Sequence, residues 1–195
     1  MFFTVYQVLP DETTIDRNND FFFNEIGWLW GINMTACIFW WFTFLAPSNF
    51  GIVTSVLFIS VMLGTALVMS KRAMTAELNW SEWISFRCGM SIYAGWLSTA
   101  TILNTAGMLK RTGLADDWDE PLIAVIMLWV ATSIYIGNSF LNRDPFYAAV
   151  FVWACLGIQR DQEGKNELVE STVATIIPLM SAWVVGLTIY DYIEA

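Results

Sequence analysis

Histidine is absent from this 195-residue chain, which removes most site chemistry at once. Haem or iron held by imidazole, His-containing zinc sites, and Ser–His or Cys–His catalytic pairs all lack a member. Cys37, Cys88 and Cys155 stand far apart in apolar runs and form no C-x-x-C. Zinc ribbons, iron–sulfur clusters and dithiol redox chemistry therefore have no ligands, and the three read as small hydrophobic helix residues. No lysine falls inside an uncharged run, so a retinal Schiff base has no attachment point. The run Asp116-Asp117-Trp118-Asp119-Glu120 could attract a divalent cation but reads as a solvated loop. Gly31, Gly89 and Gly95 do not form a phosphate-cradling loop. With no nucleophile–base pair and no metal cluster, the expectation is a protein that is not an enzyme, without catalytic or metal-ligating residues.

What remains is tryptophan, 11 in all, with asparagines and small residues. Tyr93, Trp96, Ala100 and Asn104 recur at spacings of three and four, which puts them on one side of a helix. Ser91, Gly95 and Thr99 form a small-residue stripe beside them, as do Ala94 and Ser98, and such stripes let helices approach closely. An aromatic–amide stripe beside a small-residue groove can line a pocket for a flat apolar ligand, or it can be ordinary bundle packing. Trp96 lies mid-membrane by count, where its indole N–H needs a partner. Asn33, Asn104 and Asn138 are placed to hydrogen-bond between helices. The ionisable residues nearest the spans, Glu25, Arg87 and Arg143, sit at span ends, which disfavours a transporter or proton pump.

These side chains need elements to hold them, and the charge pattern supplies them. Residues 26–70, 88–109, 121–142, 145–159 and 171–190 contain no Asp, Glu, Lys or Arg. A helix facing water would show charge every turn or two, and about 20 apolar residues cross a bilayer. The fold class is all-α: a polytopic transmembrane helix bundle of about six spans, 26–45, 51–70, 84–109, 121–141, 145–159 and 171–191. Ala46-Pro47-Ser48-Asn49-Phe50-Gly51 is the turn inside the long first run. The polar segment 71–87 predicts a short interfacial helix with Trp80 and Trp83 at headgroup level, and Ser81 as N-cap of the third span. Pro121 suits a first helical turn, Asn142-Arg143-Asp144-Pro145 forces a tight hairpin, and Pro178 predicts a kink in the last span. The short fifth span relies on Arg160 snorkelling, or on local thinning of the bilayer.

Two domains are expected: an extramembrane or interfacial N-terminal segment, 1–25, including the apolar Met1–Pro10, and one transmembrane domain, 26–195. The opening shows no cleavable signal. Six spans put Arg17, Lys71, Arg72, Arg87 and Arg143 on one side against Lys110, Arg111, Arg160 and Lys165, which selects no orientation. The net charge of −9 argues against nucleic acid as a partner and against a polybasic attachment to anionic lipid. The expected partners are the lipid bilayer and other membrane subunits or a second copy.

Residues 93–104, Tyr93-Ala-Gly-Trp96-Leu-Ser-Thr-Ala100-Thr101-Ile-Leu-Asn104, resemble the signature helix of the tryptophan-rich sensory protein / translocator protein family (TspO/MBR), Y-x-x-W-x-x-x-A-T-x-x-N. Asp144, Tyr147, Val150, Trp153, Ala154, Gly157 and Ile158 match D-x-x-Y-x-x-V-x-x-W-A-x-x-G-I, a pattern of a divergent branch with extra helices after the signature. The first span is similar to the helix carrying N-x-x-W, with Trp40 matching and Cys37 standing in place of Asn. The resemblance covers about 24–160. The family helix before that span is missing, and Phe2–Pro10 resembles its tail. The resemblance implies a pocket for porphyrins, sterols or phospholipids between helices, with no covalent cofactor. By it, Tyr93, Trp96, Ala100, Asn104 and Trp40 are ligand-binding residues. The other reading is a structural accessory subunit of a larger membrane complex such as a respiratory-chain assembly, with no ligand of its own, which would place the chain in the mitochondrial inner membrane. Its acidic loops 116–120 and 161–170 would then be docking surfaces.

Overall fold

Side chains that satisfy orphan backbone groups mark where four of the helices of this protein begin, at Ser48, Asn79, Asp144 and Asn166. The computed structural model describes residues 19–194, so the predicted N-terminal segment lies outside the described residues as far as position 18. Six helices follow: α1, Phe21–Leu45; α2, Asn49–Thr75; α3, 80–111; α4, Glu120–Asn142; α5, Pro145–Gln162; and α6, Glu167–Glu194. The described residues contain no strand. This is the all-helical membrane bundle that the charge pattern predicts.

Boundaries differ from expectation in instructive ways. α1 begins at Phe21 rather than 26, because Phe21 and Phe22 are buried edge-on against Phe86 of α3, at 6.0 and 5.0 Å. The opening turn, Phe21–Ile26, is widened to π geometry. No separate interfacial helix occupies 71–87. Its first residues extend α2 to Thr75, and its last begin α3, which runs unbroken from Trp80 to Arg111. The N-cap is Asn79, not Ser81. The Asn79 carboxamide accepts from the Glu82 N–H at 2.9 Å, while Glu82 Oε2 accepts from the Asn79 N–H at 3.1 Å. That reciprocal pair satisfies two backbone donors at once. Between α1 and α2, Ser48 accepts from the Gly51 N–H at 3.0 Å. A Cβ on Gly51 would lie 2.6 Å from that of Ala46, so the turn needs glycine there. Asp144 caps α5, and Arg143, at φ 50°, closes α4 in the left-handed conformation. Pro121 sits in the first turn of α4, as predicted, and α6 continues through Pro178.

α1, α2, α4 and the 167–191 part of α6 are long and apolar enough to cross a membrane by themselves. α3 and α5 fall short of that measure. In α3 the reason is a load of hydroxyl and amide groups, Ser91, Ser98, Thr99 and Asn104, all buried against neighbouring helices. The packing order explains how this is tolerated: α1 lies on α2, α2 on α3, and α3 on α5 and α4, while α6 covers α4 and α5. α3 is therefore flanked by three helices, where polar groups find partners away from lipid.

Asn33 ties the first three helices together. Its amide donates to the Met62 carbonyl and to Thr65 Oγ1, both at 2.8 Å, and its carbonyl accepts from Tyr93 at 2.7 Å. Asn104 and Ser55 join α3 to α2 through contacts of 3.1 and 3.3 Å. Asn138 does not bridge helices; it pairs with Asn142 one turn along α4. Replacing Asn33 with leucine strips three contacts between helices and is expected to cost about 1–2 kcal/mol, at the upper end for such bonds in membranes. Asn138→Ala should cost under about 0.5 kcal/mol. Equal losses for the two variants in reversible detergent unfolding would contradict this assignment.

Candidate functional site

Gly95 sets how closely α3 and α5 approach. A Cβ there would meet the Tyr147 carbonyl oxygen and the Val150 Cβ, each at 3.0 Å. On one flank of this contact the interior is sealed by hydroxyls. Ser98 Oγ lies 2.7 Å from the Tyr147 hydroxyl and Thr99 Oγ1 2.7 Å from the Tyr135 hydroxyl, which also donates to the Gly95 carbonyl. The Tyr135 ring stacks on Phe151 at 4.6 Å and leans on Tyr147 at 4.7 Å. Ser139 accepts the Trp183 indole N–H at 2.9 Å and so ties α6 to α4.

On the other flank the helices diverge and leave a groove of about 400 Å³, lined by Ile92, Trp96, Phe146, Ala149, Val150 and Trp153. The lining is almost wholly apolar and offers no metal ligand. Its volume lies at the low end for small-molecule pockets. The Trp96 and Trp153 rings, 5.5 Å apart and tilted at 52°, close one end. Phe146 closes the other, edge-on to Trp83 at 5.8 Å. Arg87 lies over the Trp83 ring at 5.5 Å.

The five residues expected to share a pocket are dispersed. Trp96 lines the groove, and at 47% exposure its ring faces outward rather than into the bundle. Tyr93 is turned to Asn33, and Asn104 is buried against Ser55. Ala100 is half-buried against the core. Trp40 stacks on Phe44 at 5.1 Å, and its indole N–H is buried without an acceptor. Tyr93 and Asn104 thus spend their polar groups on holding helices together. The sequence reasoning missed Ile92, Phe146 and Ala149. For Phe146 and Ala149 the signal was the spacing of 146, 149, 150 and 153, one face of a helix, two of whose positions the longer motif already contained; for Ile92 it was its place one turn before Trp96.

Just outside the spans, Asp144 organises the α4–α5 turn. Its carboxylate accepts from the Tyr147 N–H at 3.1 Å and from Ser91, which in turn lies 3.4 Å from Ser70 of α2. Burial pushes this carboxyl above its ordinary value, opposed by those hydrogen bonds and by the charge of Arg87. At the far side of the bundle the exposed Lys110–Glu120 pair, at 2.6 Å, closes the α3–α4 loop.

A family model described as TSPO-like protein matches residues 1–190. The chain belongs to the TSPO-like family. The match reaches past the 24–160 covered by the sequence motifs and takes in most of α6 and the N-terminal segment. No curated protein and no solved structure matches the chain. For this TSPO-like protein, the signature tyrosine and asparagine of α3 are bundle contacts and the signature tryptophan is the groove contact.

Gly95→Val should force α3 and α5 apart and cost about 1–3 kcal/mol, as overpacking does; wild-type thermal stability in that variant would contradict the close contact. Asp144 yields a pH prediction. Because folding raises its pKa, its contribution is complete below the ordinary carboxylate range, near about pH 4, and is lost as pH rises through the raised value. Asp144→Asn keeps the cap, so the variant should gain on the wild type as pH rises above the ordinary carboxylate range. Parallel stability curves would refute this.

Proposed function

We propose that this TSPO-like integral membrane protein is non-catalytic and takes a hydrophobic ligand (a tetrapyrrole, sterol or phospholipid) in the groove between α3 and α5. The observation that carries the reading is the groove itself, an apolar trough floored by Ala149 and Val150 and ended by paired indoles. The interior flank of the same helix pair is filled by Tyr135, Tyr147 and Phe151, whereas on the groove side aromatic surface is left for an occupant. Trp96 is the ligand contact. Tyr93 and Asn104 act by positioning α3, and Trp40 offers a buried donor on the α1 side. The lining has no iron ligand, so a tetrapyrrole would be held by its faces alone.

A second reading, an accessory subunit of a larger membrane assembly such as a respiratory complex, draws on α1. That helix packs mainly on α2, and Trp28, Phe39, Trp41 and Phe42 are exposed along it. In that case the aromatic face of α1 is a subunit contact. Gentle solubilisation that leaves the chain in a megadalton species would favour it over an independent binder.

The binding reading is tested on the protein in nanodiscs with metal-free protoporphyrin, a fluorescent sterol and a brominated phospholipid, following tryptophan emission. At least one should act saturably. Trp96→Phe should weaken that binding about two- to tenfold, the worth of an aromatic contact, and Ala149→Phe, which fills the groove, should abolish it. Linear responses to all three, or saturation unchanged in Ala149→Phe, would sink the proposal.

A further inference from the structure

Arg87 is the cation nearest the groove in the chain of ring contacts, and its surroundings are incomplete. It stands about two turns into α3, half-buried, with its guanidinium over Trp83 at 5.5 Å. Trp83 touches Phe146, and Phe146 lines the groove. Among the described residues the Arg87 guanidinium has no hydrogen-bond or ion-pair partner. The acid that feels its charge, Asp144, is buried and occupied by Ser91 and by backbone N–H groups of α5. Five donors at the headgroup end of an apolar groove are thus left for an acceptor from outside the chain.

The chemistry that fits both ends is specific. An acyl chain suits a trough that is apolar throughout and open on one side, whereas an enclosed slot would be needed to cover both faces of a flat ring system. A phosphodiester suits a planar guanidinium, which binds its oxygens bidentately. A sterol hydroxyl or a zwitterionic headgroup makes weaker use of an unpaired cation. We propose that the groove is a site for an anionic phospholipid of the surrounding bilayer, with one acyl chain between Trp96 and Phe146 and the phosphate on Arg87. This rests on the groove-binding reading above and names its ligand class.

The test compares dibrominated phosphatidylglycerol with dibrominated phosphatidylcholine, each at the same mole fraction in unbrominated nanodiscs holding the full chain. Bromine quenches nearby indoles, and the Trp96→Phe/Trp153→Phe double variant supplies the background from the other tryptophans. Phosphatidylglycerol should be preferred about fivefold, the worth of one cationic side chain toward anionic lipid. Arg87→Gln should erase the preference and Arg87→Lys should keep part of it, with helical content by circular dichroism unchanged. Equal quenching by the two lipids in the wild type, or a preference surviving in Arg87→Gln, overturns the phosphate site. If that quenching is still lost in Ala149→Phe, the groove reading stands without it. If Ala149→Phe changes neither lipid's effect, the groove reading falls as well.

Discussion

A polar group that faces lipid without a partner costs several kcal/mol, and the bundle is arranged so that α3 never bears that cost. Ser98, Thr99 and Asn104 would make this helix a poor membrane segment alone. Each instead meets a hydroxyl or amide from α2, α4 or α5. Those bonds require close approach, and Gly95 permits it on the α5 side. The position of α3 between three helices is thus the condition under which its sequence can lie in a bilayer at all.

The groove follows from the same contact. Small residues bring the α3 and α5 backbones together on the interior side, where Tyr135, Tyr147 and Phe151 fill the space. Toward the outside, Ala149 is too small to fill the gap left by the diverging side chains. The large rings, Trp96, Trp153 and Phe146, are carried to its ends. Tight packing inside and a trough outside are two faces of one helix pair. The binding reading depends on both, because an α3 free to slide would not hold the rings in place.

Much of this was legible in the chain. Runs without charge located all six helices, and Asn33 and Asn104 read correctly as contacts between helices, since an amide in lipid has few other uses. The stripe Tyr93, Trp96, Ala100 and Asn104 was legible as one side of a helix but not as one surface. Periodicity gives a direction from the helix axis; which neighbour lies in that direction depends on the order of packing. Trp96 falls at the edge of the stripe, beyond the contact with α2, and so faces outward with Trp153. The segment 71–87 misled for a related reason. Its charges resembled a separate surface element, whereas Lys71 and Arg72 sit in the last turns of a continuing helix and Asn79, two residues before the expected cap, opens the next.

The most direct measurement is native mass spectrometry of the chain released from its own membranes, beside the Ala149→Phe variant. The account predicts a small species that retains a phospholipid-sized adduct, which the filled groove does not retain. A wild-type chain released without an adduct, or one that appears only within a larger assembly, would contradict a ligand held between α3 and α5.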